Sequence, residues 1–173
     1  MEDIAYLVND KTRSLYIPVK KVSHSAIVTA LNPVTRRVVG KEEAKKLINY
    51  TWIMVVREPL DRFNSFYRSD NPGKQRLDPL GLMDDVITGY WKNDSHTCPQ
   101  SEYIEGLKIP EVIIKYENLK DEFWKFEEMF PDCNKLGVEN VSKSDRDLYR
   151  DFPVDMIDVL RDKYKLDYIL FNF

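Results

Sequence analysis

The chain has 173 residues, enough for one domain with a full core and too few for two. Its 26 basic and 29 acidic residues give a formal net charge of −3, which excludes a basic nucleic-acid-binding tail and a membrane-surface patch but leaves room for a local cationic pocket. Cys98 and Cys133 fit no metal or redox spacing and no disulfide framework, as expected of a reducing cytoplasm. The start, Met1-Glu2-Asp3-Ile4, is acidic and reads as neither a signal peptide nor a membrane anchor.

Ile4 to Val8 and Ser14 to Val19 read as two strands of an opening hairpin, joined by the turn-rich Asn9-Asp10-Lys11. The polar run Lys20-Lys21-Val22-Ser23-His24-Ser25 leads into a short apolar helix, Ala26 to Leu31, that ends near Asn32-Pro33. Lys41 to Asn49 is a charged helix before Thr51 to Val56, an unbroken apolar run expected of a strand covered on both faces. Pro59 opens the next helix, with Glu58 and Asp61 near its positive end and Phe63, Phe66 and Tyr67 at inward spacing. Residues 69–74 form a loop, Leu80 to Tyr90 a helix, and Trp91 to Gln100 a polar segment holding His96 and Cys98. Glu111 to Tyr116 is a third buried strand. Asn118 then begins a helix with Leu119, Phe123, Phe126 and Phe130 as its core stripe. After an irregular 137–150, Pro153 opens a last amphipathic helix with Met156, Ile157 and Leu160 facing inward. Strands alternating with helices predict a single α/β domain over 1–173, a three-layer α/β/α arrangement around a central parallel sheet.

Chemistry-bearing residues gather at strand ends. Arg57 stands at the carboxyl end of the central strand, where open α/β sheets bind ligands, and Arg62 and Ser65 follow on one helix face. The loop after the hairpin has the strand–polar loop–helix order that aims backbone N–H groups at an anion. It contains no glycine and no Gly-Lys-Ser/Thr ending, which disfavours an ordinary nucleotide kinase. His96 with Cys98 is too sparse for zinc, so no metal is expected.

These residues resemble a known family, the sulfotransferases that use 3′-phosphoadenosine 5′-phosphosulfate (PAPS), especially the carbohydrate branch with the chondroitin and heparan-type enzymes. Val56-Arg57-Glu58-Pro59-Leu60-Asp61-Arg62-Phe63-Asn64-Ser65-Phe66-Tyr67-Arg68 is similar to that branch's "V-R-[ED]-P-x-[ED]-R-x-x-S-x-Y-R" segment. The resemblance implies that Arg57 and Ser65 hold the cofactor's 3′-phosphate, with Arg62 beside them. Lys21-Val22-Ser23-His24-Ser25 resembles the "P-K-x-x-x-[TS]" loop that holds the 5′-phosphosulfate, with Lys20 adjoining it. His96-Thr97-Cys98-Pro99-Gln100, Ile114 to Leu119 and the ending Tyr164 to Phe171 also fit, and Ser142-Lys143-Ser144 resembles a segment near the cofactor. The likeness runs from about Ile4 to the C-terminus. It implies a P-loop-like fold, PAPS released as adenosine 3′,5′-bisphosphate (PAP), and a hydroxyl-bearing small-molecule or glycan acceptor.

Two departures stand out. The family's proline directly precedes its lysine, whereas Pro18 is followed by Val19, Lys20 and Lys21; register with Ser25 favours Lys21 as the lysine facing the sulfate. His24 stands where the family prefers a small residue. Sulfuryl transfer needs a cation that follows the charge developing on the bridging oxygen, and a base for the acceptor hydroxyl. The chain has two histidines: His96 is the preferred base, by its similar family setting, His24 the reserve and Glu102 a weaker one. Two alternatives stay open, a P-loop-like nucleotide kinase with a drifted loop and a non-catalytic nucleotide-binding module of the same fold.

Overall fold

A computed structural model describes residues 4–35, 37–69, 95–137 and 152–173, with the backbone alone for 67–69. Its described residues gather into two compact units, one drawn from 4–35, 37–57 and 103–137, the other from 58–69, 95–102 and 152–173.

The first unit is built on a five-stranded mixed sheet of order β3-β1-β2-β4-β5. Strand β1 (Tyr6–Asn9) forms the expected hairpin with β2 (Ser14–Ile17), pairing Asn9 with Ser14 across the turn. Strand β4 (Thr51–Val56) lies parallel to β2, with Ile17 opposite Met54, and β5 (Val112–Lys115) lies parallel to β4. The apolar run of β4 is buried from Trp52 to Val56, as its lack of alternation predicts. At its other edge the sheet is antiparallel, as the expected hairpin requires, so the sheet as a whole is mixed rather than parallel. The turn after β1 is too short for a crossover, so that pair must run antiparallel. Strand β3 (Arg37–Val39) then adds antiparallel to β1. Periodicity gave no sign of β3, because it has three residues and one of them, Val38, is exposed.

Helix α1 (His24–Leu31) follows β2 and buries Ala26, Ile27, Ala30 and Leu31. It starts two residues earlier than its apolar run suggests. The charged helix at 41–49 is shorter than expected: α2 covers Lys41–Ala44 and continues as a 3-10 turn at Lys45–Leu47. After β5 the expected single helix is broken into a 3-10 turn at Tyr116–Asn118, α4 (Leu119–Glu122) and α5 (Trp124–Met129). Its aromatic stripe is nevertheless buried as predicted, with Phe126 edge-on to Tyr16 at 5.4 Å and stacked with Phe123 at 5.3 Å.

The second unit holds α3 (Pro59–Ser69), a 3-10 turn at Gln100–Ile104 that runs on into the first unit, α6 (Val154–Lys163) and α7 (Lys165–Phe171). Leu60 and Phe63 from α3 pack with Met156, Leu160 and Tyr164 to form its core. Glu58 fixes the start of α3: its carboxylate accepts the Asp61 backbone N–H at 2.7 Å, and its other oxygen accepts the Tyr168 hydroxyl. The helix expected at Leu80–Tyr90, and Trp91, lie outside the described residues.

Candidate active site

The lysine loop leaves β2 at Pro18 and enters α1 at His24. Val22 is fully buried and anchors the loop. Lys21 (φ 65°) and Ser23 (φ 61°) adopt left-handed backbone conformations without being glycine. Such positions carry roughly 1–3 kcal/mol of strain each and concentrate at functional sites. The Lys20 backbone N–H donates to the Tyr103 hydroxyl at 3.3 Å, and the Tyr6 hydroxyl donates to the Tyr103 carbonyl at 3.0 Å. Two tyrosines thus support the loop from beneath. The Lys20 ammonium lies 3.0 Å from His24 Nε2. Ser25 is exposed in the first turn of α1.

Because β2 and β4 are parallel neighbours, the residues after both strands emerge at the same edge of the sheet. Arg57 follows β4 there, 6% exposed, with its guanidinium over the Tyr116 ring at 4.4 Å from the centroid. Its Nη1 donates to the Lys21 carbonyl at 3.4 Å. The arginine and the lysine loop therefore meet inside one unit. Cations, an aromatic face and the start of an eight-residue helix converge at the carboxyl end of parallel strands, a donor set suited to a phosphorylated nucleotide.

In the other unit, Ser65 is half-buried on α3, three residues beyond Arg62. Arg62 is completely buried and donates to the carbonyls of Cys98 at 2.7 Å and Ser95 at 3.1 Å. His96, half-buried in the turn so gripped, stacks on Phe66 with ring centroids 6.0 Å apart. Burial and the nearby Glu102 and Asp167 push the Cys98 thiol up, against the pull of Arg62, which keeps it protonated and inert. Ser142 and Lys143 lie outside the described residues.

Sequence reasoning passed over Tyr103, and placed Tyr116, Tyr164 and Asp167 in family-like segments without giving them a role. Tyr116 had a signal: it directly follows the strand beside that of Arg57. The others act over separations of more than 60 residues, which no local spacing encodes. Among the described residues no cluster of His, Cys, Asp and Glu is set to hold a metal ion, and no helix is long and apolar enough to cross a membrane.

Fold and site together define an α/β protein with a lysine-bearing loop and a buried arginine at the carboxyl ends of adjacent parallel strands. The family model described as "Sulfotransferase family" matches residues 4–173. The chain belongs to the sulfotransferase family. No curated protein and no solved structure matches it.

Proposed function

We propose that this chain is a PAPS-dependent sulfotransferase, a single three-layer P-loop-like domain that sulfates a hydroxyl on a carbohydrate acceptor. The observation that carries this reading is the contact between Arg57 and the Lys21 carbonyl, made from the ends of adjacent parallel strands. A nucleotide with phosphate on both sides of its ribose needs two separate cationic grips, and this edge of the sheet supplies two. The family match favours sulfuryl over phosphoryl transfer, which leaves the kinase alternative without support.

The donor set of the first unit fits PAPS. When bound, PAPS supplies the activated sulfuryl group and a leaving phosphate. The Arg57 fork would hold the 3′-phosphate, with Ser65 assigned to the same phosphate by the family pattern; Arg62, which the family pattern also suggested, is instead buried against the Ser95 and Cys98 carbonyls. The backbone N–H groups from Val22 to Ser25 hold the 5′ end. Lys21 stabilises the charge that develops on the departing oxygen, and Lys20 adds to the local positive field. His96 takes the proton of the acceptor hydroxyl, with His24 in reserve. Ser142 and Lys143 are further cofactor contacts by resemblance. Binding energy gathered at the remote 3′-phosphate holds the reacting end in place.

Calorimetry with PAP and with AMP tests the proposal. Much tighter binding of PAP is expected, because AMP lacks the group that Arg57 grips. Equal affinity for both would remove the 3′-phosphate site, and with it the sulfotransferase chemistry proposed here.

A further inference from the structure

The turn that carries His96 is held in an unusual way. Over residues 95–101, five main-chain groups are taken by three side chains. Arg62 donates to the Ser95 and Cys98 carbonyls, and the Tyr164 hydroxyl donates to the Thr97 carbonyl at 2.7 Å. The Asp167 carboxylate accepts the Gln100 N–H at 2.7 Å and the Ser101 N–H at 2.8 Å. All three gripping side chains are 0% exposed. Burying a guanidinium and a carboxylate is expensive, and an ordinary surface turn would leave its backbone to water instead.

The arrangement serves one side chain. Ser95, Thr97 and Cys98 are buried, whereas His96 between them stays accessible, its ring face resting on Phe66. Helices α3, α6 and α7 each contribute to this: Arg62 and Phe66 come from α3, Tyr164 lies where α6 meets α7, and Asp167 is in α7. A histidine on a free loop samples many orientations. One on a turn gripped at five backbone atoms, with an aromatic plate under its ring, is held in one.

We propose that Arg62, Tyr164 and Asp167 are positioning residues that hold the His96 turn through its backbone, while Phe66 sets the plane of the imidazole. The role as base served by this positioning rests on the function proposed above. The grip itself does not.

The test uses the full chain with isotope-labelled histidine. With two histidines in the sequence, the imidazole spectrum contains two sets of signals, which His24→Gln and His96→Ala assign. Arg62→Ala leaves two carbonyls unpaired in a buried setting and is prone to unfolding, so Tyr164→Phe is the primary variant; it keeps the ring and removes one grip. Tyr164→Phe is expected to shift or broaden the His96 signals, move their titration, and leave those of His24 in place. Turnover should fall by roughly tenfold to a hundredfold with PAP affinity unchanged, the mark of a misplaced group rather than a damaged cofactor site. A folded Tyr164→Phe whose His96 signals and titration match the wild type would overturn the positioning role. Undiminished turnover in His96→Ala would instead overturn His96 as base, and the spectra would still decide whether the turn is gripped.

Discussion

Arg57 sets its guanidinium over the Tyr116 ring, 4.4 Å from the centroid, and donates one N–H to the Lys21 carbonyl. A lysine at the same position keeps the charge but cannot stack or fork. Arg57→Lys should therefore weaken PAP binding by about tenfold to a hundredfold, the worth of a charge-assisted contact of about 1.5–3 kcal/mol. Tyr116→Leu should cost less, about two- to thirtyfold for a cation–π contact of about 0.5–2 kcal/mol. Calorimetry on the two variants decides the order, and a larger effect of Tyr116→Leu would show the ring touching the nucleotide itself. The two lysines of the loop differ in the same concrete way. The Lys20 ammonium engages His24, while Lys21 occupies the left-handed position whose carbonyl Arg57 reaches. Lys21→Ala is expected to lower turnover by about 10²–10³-fold, as loss of a group that stabilises developing charge does. Lys20→Ala should cost less than Lys21→Ala. Single-turnover rates with saturating PAPS measure both, and the reverse order would move the role to Lys20.

Elements were legible where their side chains repeat with a period and obscure where they do not. Strand β4 and the Phe123-Phe126-Phe130 stripe could be read from apolar spacing, and both are buried. The break at Phe123 and the three residues of β3 could not, since turns of that length are decided by tertiary contact rather than propensity. The cationic side of the site was legible for a related reason: Arg57 and the lysine loop each follow a recognisable strand. Their supports were not, because Tyr103 reaches the loop from 83 residues away. Lys108 is another such support. It donates to the carbonyls of Ile48 at 2.9 Å and Tyr50 at 2.5 Å, pairs with Glu111 at 2.5 Å and lies over the Trp52 indole. Glu111 in turn accepts the Trp52 N–H at 2.8 Å, so one lysine ties the approach of β4 to that of β5. Lys108→Met should destabilise the protein by about 1–3 kcal/mol, since the carbonyls lose their donor while the aliphatic stem is retained. Leu160→Ala, at the heart of the second unit's core, should cost about 2–5 kcal/mol through lost burial and the cavity left behind. Urea titration checks both, and an effect of Lys108→Met below a few tenths of a kcal/mol would reduce this network to a surface ornament.

At the scale of the whole molecule, acid and alkali should act differently, because so many phenols are inside. Burial pushes Tyr6 up to about 12, and raises Tyr16 and Tyr164 as well; Tyr168 is raised by burial and then by its hydrogen bond to Glu58. In the unfolded chain a tyrosine ionises near pH 10. Between that pH and the folded values, the unfolded state has already released protons that the folded state retains. It binds fewer protons, so stability falls as pH rises. The contribution of these groups is complete below about pH 10 and is lost progressively above it, with Tyr6 giving out near 12 and the others later. The loss should be cooperative: a phenol sealed in the core ionises when the chain around it opens. Alkaline titration followed together by phenolate absorbance and far-ultraviolet circular dichroism should therefore show a late phenolate phase coincident with unfolding. Tyr6→Phe removes one of the sealed phenols together with its bond to the Tyr103 carbonyl, so it should lower stability at neutral pH by about 1 kcal/mol while flattening the decline above pH 10. A single smooth phenolate titration centred near pH 10, complete before any loss of helix and strand signal, would mean that these rings reach water in the folded protein.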